Sequence, residues 1–422
     1  MNMVAFKTSL AATMLILLLG CSDQKPAAAA ALSAPPQLFV LAPTPSHDSL
    51  PRSSANELAR LSADPAAAEV AFVRLAPELV SQRNEDLTVS VPGKKTVQFH
   101  LRDFTAITPE IFGWVGYTPS AWKQAHPDSP AEIANDPMFF LSLVREGNNV
   151  LGDLTLDGQH YRLQPIGSGL HVLVKVDESK LPPESEPRIS GVAAQAPEAS
   201  EIAKSAHSTI RVMFVVTDQR KALSPNYKAD LALALNNANQ YMKSSDVQIT
   251  YELAGYYDGG YDETGRSYNQ QLDDLRLAKP FADKVLAQRE ALGADLVSMY
   301  STAPQYCGLA WLTASKAQAH SVISCSSSLA HELGHNLGVN HGWKPGDPER
   351  NPPYMHGYQH DEAPIFRTIM TGTNGAIPYF SNPRLQYQGV PMGTVYHNDA
   401  ARRFNERRQV VEDFYPPLAS PK

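Results

Sequence analysis

No stretch of this chain is rich in lysine or arginine, and the formal net charge is −7. Nucleic-acid binding therefore has no electrostatic footprint, and no nucleic-acid partner is expected. Long apolar runs are missing as well. Leu10 to Leu19 is an apolar run only about half the roughly 20 residues needed to span a bilayer. No internal repeat is present, which leaves solenoid architectures without support. Cysteine is scarce, with three in 422 residues. After Cys21 only Cys307 and Cys325 remain, an even pair. In an oxidising compartment they would close a disulfide worth about 3 kcal/mol by chain entropy; the alternative is two buried free thiols. What is present is ordinary for a globular protein: 43% hydrophobic and 19% charged residues. The length suggests two or three domains with ample core.

The first 21 residues read as a targeting segment. Lys7 gives a positive start, the Leu10–Leu19 run follows, and Leu18-Leu19-Gly20-Cys21 ends it. The tetrapeptide resembles a bacterial lipobox, in which the cysteine is lipidated and becomes the mature N-terminus. Ser22 at the next position resembles lipoproteins sorted to an outer membrane, while Asp23 departs from that pattern. Acyl chains at about 0.8 kcal/mol per buried methylene would anchor the protein to a membrane. The expected location is the bacterial cell envelope, or the exterior after processing. The alternative is an ordinary secretory signal with an incidental cysteine.

Residues 22–56 are rich in Ala, Pro and Ser and read as a tether with too little apolar content to fold. Residues 57–180 carry hairpin signals. Leu87, Val89 and Val91 alternate on one side of Pro92-Gly93, and Val97, Phe99 and Leu101 on the other. Asp157-Gly158 and Gly167-Ser168-Gly169 mark two further turns, giving a small antiparallel β-rich domain. Residues 181–206 are a Pro/Glu-rich second linker, the expected point of cleavage. Residues 207–417 then alternate strand and helix, which indicates an α/β layer. Strands are expected over Thr209–Val216, Val247–Leu253 and Ala294–Tyr300. Helices are expected over Ala229–Met242, over Asn269–Leu292 with a break at Pro280, and over Asp399–Phe414.

The decisive segment is His331-Glu332-Leu333-Gly334-His335-Asn336-Leu337-Gly338-Val339-Asn340-His341. On a helix, residues i and i+4 share a face, so His331 and His335 can hold one ion together. Glu332 lies one residue on from the first ligand and can reach a water at the metal without ligating it. Gly338 lets the chain leave the helix sharply and bring His341 round as third ligand. Three histidines leave a fourth tetrahedral position open, which marks a catalytic zinc site. The bland reading is an amphipathic helix, since Leu329, Ala330, Leu333 and Leu337 supply an apolar stripe without any metal. Packing alone does not account for three His, one Glu and one Gly at five fixed positions.

Downstream, Thr368-Ile369-Met370-Thr371-Gly372 places Met370 in a tight turn as a soft apolar floor beneath the histidines. With that turn the chain resembles a metzincin zinc metallopeptidase, closest to the bacterial reprolysin-like and peptidyl-Asp metalloendopeptidases. Met355-His356-Gly357-Tyr358 and Ile377-Pro378-Tyr379-Phe380-Ser381-Asn382-Pro383 also match, and the likeness covers the C-terminal half. The resemblance implies an α+β metzincin-like catalytic domain, a twisted mixed sheet over the zinc helix, preceded by a small β-rich pro-domain. The last hairpins upstream resemble reprolysin-type pro-regions. No cysteine occurs there, so latency through a cysteine is excluded on residue type.

The chemistry expected is zinc-dependent endopeptidase action on proteins or peptides, with Glu332 as general base and then acid. Gly308, Leu309 and Ala310, in Gly308–Leu312, are candidates for the edge strand that receives substrate; an ordinary core strand reads the same way. Peptidyl-Asp enzymes prefer an acidic residue on the amine side of the cleaved bond (the P1′ position). Arg384, Arg402 and Arg403 could meet it, though each also reads as a solvated surface arginine. His356 and His360 fall four apart but among prolines and glycines, so helical geometry for a second metal is unsupported. Asp258, Asp262 and Glu263 offer oxygens to calcium, but without a complete loop signature calcium is unsupported. Two other functions compete: a zinc-holding surface lipoprotein that does not hydrolyse, and a zinc amidase acting on cell-wall peptides.

Overall fold

The computed structural model describes residues 34–91, 93–189, 205–372 and 374–416. Cys21 and the rest of the expected leader lie outside the described residues, as does most of the expected linker.

The N-terminal part is built of short alternating strands. In chain order these are β1 (Phe39–Leu41), β2 (Ala67–Leu75), β3 (Asp86–Val89), β4 (Val97–Ala106), β5 (Ile111–Pro119), β6 (Asn135–Glu146), β7 (Asn149–Leu156), β8 (Gln159–Gly167) and β9 (Leu170–Val176). Two helices interrupt them, α1 (Arg52–Ser62) and α2 (Ala121–Ala125). The strands form one antiparallel sheet in the order β1-β2-β9-β8-β7-β6-β5-β4-β3. Its two edges are joined. Leu38 N–H donates to Thr88 O and Thr88 N–H to Pro36 O, while Phe39–Leu41 pair with Val73–Leu75 of β2. The alternation read around Leu87 and Phe99 puts those side chains inside with Trp114, Leu141, Leu143 and Leu154, all fully buried. Closure leaves this sheet no bare edge along that seam.

The expected tether is thus shorter than its composition implied. From Pro36 onward the chain is folded, because Leu38 and Phe39 are buried and the backbone of Pro36–Leu41 bonds on both sides. Averaged over an Ala/Pro-rich window, the four apolar residues Leu38 to Leu41 leave no signature.

The C-terminal part is a mixed sheet with helices on it. It comprises β10 (Arg188–Ile189), β11 (Ser208–Val216), α3 (Asp218–Leu223), α4 (Tyr227–Ser244), β12 (Ile249–Tyr257), α5 (Tyr268–Leu277), α6 (Phe281–Leu292), β13 (Leu296–Tyr300), β14 (Gly308–Leu312), β15 (His320–Ile323), α7 (Leu329–Asn336) and α8 (Ala400–Glu412). The strand order is β10-β14-β15-β13-β11-β12. β14 runs antiparallel to β15, and β11, β12, β13 and β15 are parallel. β11 and β13 are buried almost throughout, as strands covered on both faces must be. The long helix expected over Asn269–Leu292 is two helices, parted at Lys279-Pro280 where the ring cannot continue an α-helix. α5 begins with a capping box, in which Ser267 and Gln270 satisfy each other's backbone N–H.

α4 joins the two parts. Leu231, Leu235, Ala238 and Met242 face the C-terminal core, while Ala229, Ala232 and Leu233 pack on Ile111, Val144 and Leu151 of the N-terminal sheet. A helix apolar on both sides must be covered on both sides.

Candidate functional site

α7 carries the histidines. Its apolar stripe, Leu329, Ala330, Leu333 and Leu337, is buried in the domain core. Its C-terminal end is tied to the strand next door: Thr313 N–H donates to His335 O and Ala314 N–H to Asn336 O. The Asn336 amide donates to Trp311 O at 2.9 Å, so the helix is held directly under β14. Gly338 follows at φ +91°, a backbone region that side-chain-bearing residues rarely adopt, and a Cβ there would press on the Arg403 guanidinium. That turn returns the chain and delivers His341.

The three rings converge. His331 Nε2 and His341 Nε2 lie 3.0 Å apart, and His335 Nε2 and His341 Nε2 3.2 Å. Each Nδ1 is engaged elsewhere: His331 with Ile369 O at 3.0 Å, His335 with Val339 O at 2.7 Å, His341 with Glu186 Oε1 at 3.3 Å. Carbonyls and carboxylates only accept, so each Nδ1 carries the proton and each Nε2 presents a lone pair. Three lone pairs aimed at one another repel unless a cation lies between them. Two ligands at 2.0–2.1 Å in tetrahedral geometry would be about 3.3 Å apart, close to the spacing found. The residues therefore fit a zinc ion. Burial pushes His331 down to about 4 and His335 well below the usual imidazole value. Both rings are neutral at neutral pH, the form that binds metal.

Glu332 is fully buried, and neither carboxylate oxygen has a hydrogen-bond donor. Burial, with the Glu184 carboxylate beside it, pushes its pKa well above the ordinary value. A carboxylate held without donors beside the histidines is placed to accept a proton from a water at the metal. Gly308 makes room for it: a Cβ at that position would fall inside the Glu332 carboxyl group. Met370 is fully buried, and its sulfur would lie 2.7 Å from a Cβ at Gly334. The methionine turn thus floors the helix, and its Ile369 carbonyl also orients His331.

Cys307 and Cys325 are joined by a disulfide that brackets β14 and β15. Gly308, Leu309 and Ala310 pair with Ser321–Ile323 of β15 on one side of β14. The other side of β14 is covered by β10, in the segment read as linker. Glu184, Glu186 and the Ile369 and Val339 carbonyls were not singled out in the sequence. Only the carboxylates carried a signal, as acids in a Pro-rich run.

The remaining polar candidates have structural partners. Arg384 is bidentate with Asp399 at 2.6 and 2.9 Å, Arg402 pairs with Glu406 at 2.9 Å, and buried Arg403 reaches Gly338 O. None lines the cleft of about 760 Å³ beside His341, whereas Arg367 and Lys344 do. His356 Nδ1 donates to His341 O and His360 Nδ1 to Pro364 O, so they do not form a metal pair. Glu263 accepts from Ser301 and Thr302, tying its loop to the sheet, and Asp262 accepts from Thr264 N–H.

Comparison with known proteins agrees with this geometry. The model of metallo-peptidase family M12B, reprolysin-like, matches residues 228–342. A peptidyl-Asp metalloendopeptidase of Stenotrophomonas maltophilia is 31% identical over 388 residues, 86% of this chain and 91% of that protein. One from Xanthomonas campestris pv. campestris is 33% identical over 63% of this chain and 68% of that protein. Among solved structures, metalloproteinase-II from Bacteroides fragilis overlaps at TM-score 0.39 and 10% identity, over 62% of this chain and 83% of that one. So slight an overlap adds no weight. With nearly the full length of a curated relative matched and the histidine cluster assembled, the chain belongs to the reprolysin-like metallopeptidases and is a metalloendopeptidase.

Proposed function

We propose that the protein is a zinc endopeptidase that cleaves on the amine-terminal side of acidic residues. The observation that carries the zinc reading is the convergence of three Nε2 atoms beside one buried, donor-less carboxylate. His331, His335 and His341 would hold the ion. Zinc supplies Lewis acidity toward a peptide carbonyl and lets water ionise near neutral pH. Glu332 takes the proton of the attacking water and passes it to the leaving amine. β14 offers backbone groups along which an extended peptide can lie, at Gly308, Leu309 and Ala310, with Gly308 directly against the general base.

The acidic preference is supported by Arg367. It lines the cleft beside His341 and makes no ion pair among the described residues. A guanidinium there can grip a carboxylate bidentately. The same reading attaches the mature protein to the bacterial cell envelope through a lipid on Cys21, which intact mass of the purified protein would report.

Glu332→Gln should keep stoichiometric zinc and lose at least about a thousandfold in turnover, within the span of general-base catalysis. Gelatin zymography with and without a chelator reads the metal dependence. Full activity in that variant would remove the role of Glu332. A peptide-library scan should find Asp and Glu enriched after the cleaved bond, with the enrichment lost in Arg367→Ala. Purely apolar residues at that position would end the specificity reading.

A further inference from the structure

The segment Pro183–Ile189 lies as a strap along the outer edge of β14, the rail proposed for substrate. Cys307 N–H donates to Pro183 O at 2.9 Å and Ser185 N–H to Gly308 O at 3.1 Å. Beyond Glu186 the strap leaves the cleft: Pro183, Glu184 and Glu186 line the space beside His341, whereas Arg188 and Ile189 do not. Those two pair with Trp311 and Leu312 at the far end of β14.

What Arg188 meets there is a receptor for positive charge. Its guanidinium lies 4.4 Å over the Trp311 ring and 2.8 Å from Asp273 Oδ1 on α5. An aromatic face and a carboxylate converging on one point both favour a cation. Arg276, one turn further along α5, approaches the same two groups from a greater distance, 5.1 Å from the ring and 3.9 Å from Asp273 Oδ1. The strap brings the nearer cation. The receptor itself owes nothing to the strap. Trp311 is packed in the catalytic core, its carbonyl accepts from Asn336, and Asp273 belongs to α5.

Position along the rail decides which part of a peptide arrives there. Gly308 lies against Glu332, and Trp311 is three residues on, about 10 Å at the rise of a strand. Trp311 also lies outside the cleft that holds His341 and Arg367. A peptide whose acidic residue enters that cleft therefore brings to Trp311 a residue that precedes the cleaved bond.

We propose that Trp311 and Asp273 form a subsite for a Lys or Arg side chain about three residues before the cleaved bond, and that Arg188 occupies it as a stand-in for substrate. This rests on reading β14 as the rail and on the acidic preference after the bond. The enzyme then selects a charge pattern, a cation ahead of the bond and an anion behind it. Arg276 tempers the attraction, since it shares Asp273.

The test uses the full-length chain with Glu332→Gln, which stops cleavage, and Arg188→Ala, which vacates the subsite, its mass checked as intact. Calorimetry compares three peptides of one sequence. The first carries Arg ahead of the bond and Asp after it; the second replaces Arg by citrulline, its uncharged isostere; the third replaces Asp by Asn. The arginine peptide should bind at least about fivefold more tightly than the citrulline peptide, the scale of a partly exposed cation–π contact joined to an ion pair. Asp273→Asn, a change on α5 that leaves β14 untouched, should bring that ratio to one or below, because Arg276 then stands uncompensated. Should that variant disturb α5, salt raised from about 0.05 to about 0.5 M should shrink the ratio in the parent chain. Equal binding of the arginine and citrulline peptides overturns the proposal, as does a preference that survives both Asp273→Asn and salt. Binding of none of the three overturns the rail and the subsite together. An Asn peptide held as tightly as its Asp counterpart would instead overturn the acidic reading, with the arginine-to-citrulline ratio still deciding the subsite.

Discussion

The part of the chain before the catalytic domain meets it at several places, and two of them, the α4 face and the Pro183–Ile189 segment, are of opposite character. Against α4 the contact is broad. Ile111, Val144 and Leu151 meet Ala229, Ala232 and Leu233, ringed by polar pairs such as Arg162–Asp230 at 2.9 Å, Asp153–Asn237 at 2.7 Å and Asp103–Lys243 at 3.0 Å. None of these groups touches the histidines. At the cleft the contact is one strand wide, yet it meets β14, His341 and the α7 N-terminus. The broad face holds the two parts together, whereas the narrow one lies along β14. The wide face keeps the strap tethered close by, which raises its effective concentration at the cleft without needing a tight strap.

The comparison can be broken most severely at Gly308, the shared floor of strap and site. Gly308→Ala should displace the Glu332 carboxyl group and cost about a hundredfold in turnover of the processed enzyme, with zinc retained; peptide kinetics beside metal analysis read this. Smaller is the loss at the wide face. Asp230→Ala leaves Arg162 with Ser326 Oγ but without its carboxylate partner and removes a bond from Ser224, for about 2 kcal/mol of docking stability. Calorimetry should show the transitions of the two domains drawing apart. A single unshifted transition would mean that this pair does not hold the domains together.

The smallest effect is a pH dependence of the wide face. Burial opposes protonation of His160, but hydrogen bonding and charge from Asp153, with Glu178 beyond, raise its pKa above 6.5 despite nearby Arg162. A raised folded-state value means the contribution is fully present below the unfolded value of about 6.5 and is lost as pH rises through the folded one. Thermal stability of the precursor should therefore decline as pH rises from there, and His160→Gln should flatten that slope.

What the sequence disclosed follows from how local each signal is. His331, Glu332, His335, Gly338 and His341 fall within one helix and one turn, so their spacing is their geometry. The β3–β4 and β7–β8 hairpins were legible for the same reason, each set by two short alternating runs. The strap and the β1 seam were not. Pro183–Ile189 and Pro36–Leu41 are held by backbone bonds to strands more than thirty residues away or by paired charges, and Pro-rich composition says only that they make no helix. The arginines failed differently. Arg384, Arg402 and Arg403 follow the methionine turn in sequence, yet Asp399, Glu406 and Gly338 O take them up, while Arg367 just before the turn faces the cleft.

The Cys307–Cys325 bond spans the strand pair whose one arm is β14, proposed to receive substrate, and whose far end leads into the first ligand helix. Distance between rail and ion is thereby set by covalent geometry as well as by packing. A chain kept with both thiols reduced must fix that gap by side-chain contacts alone. Such a chain could hold its metal and still present a peptide bond slightly out of reach.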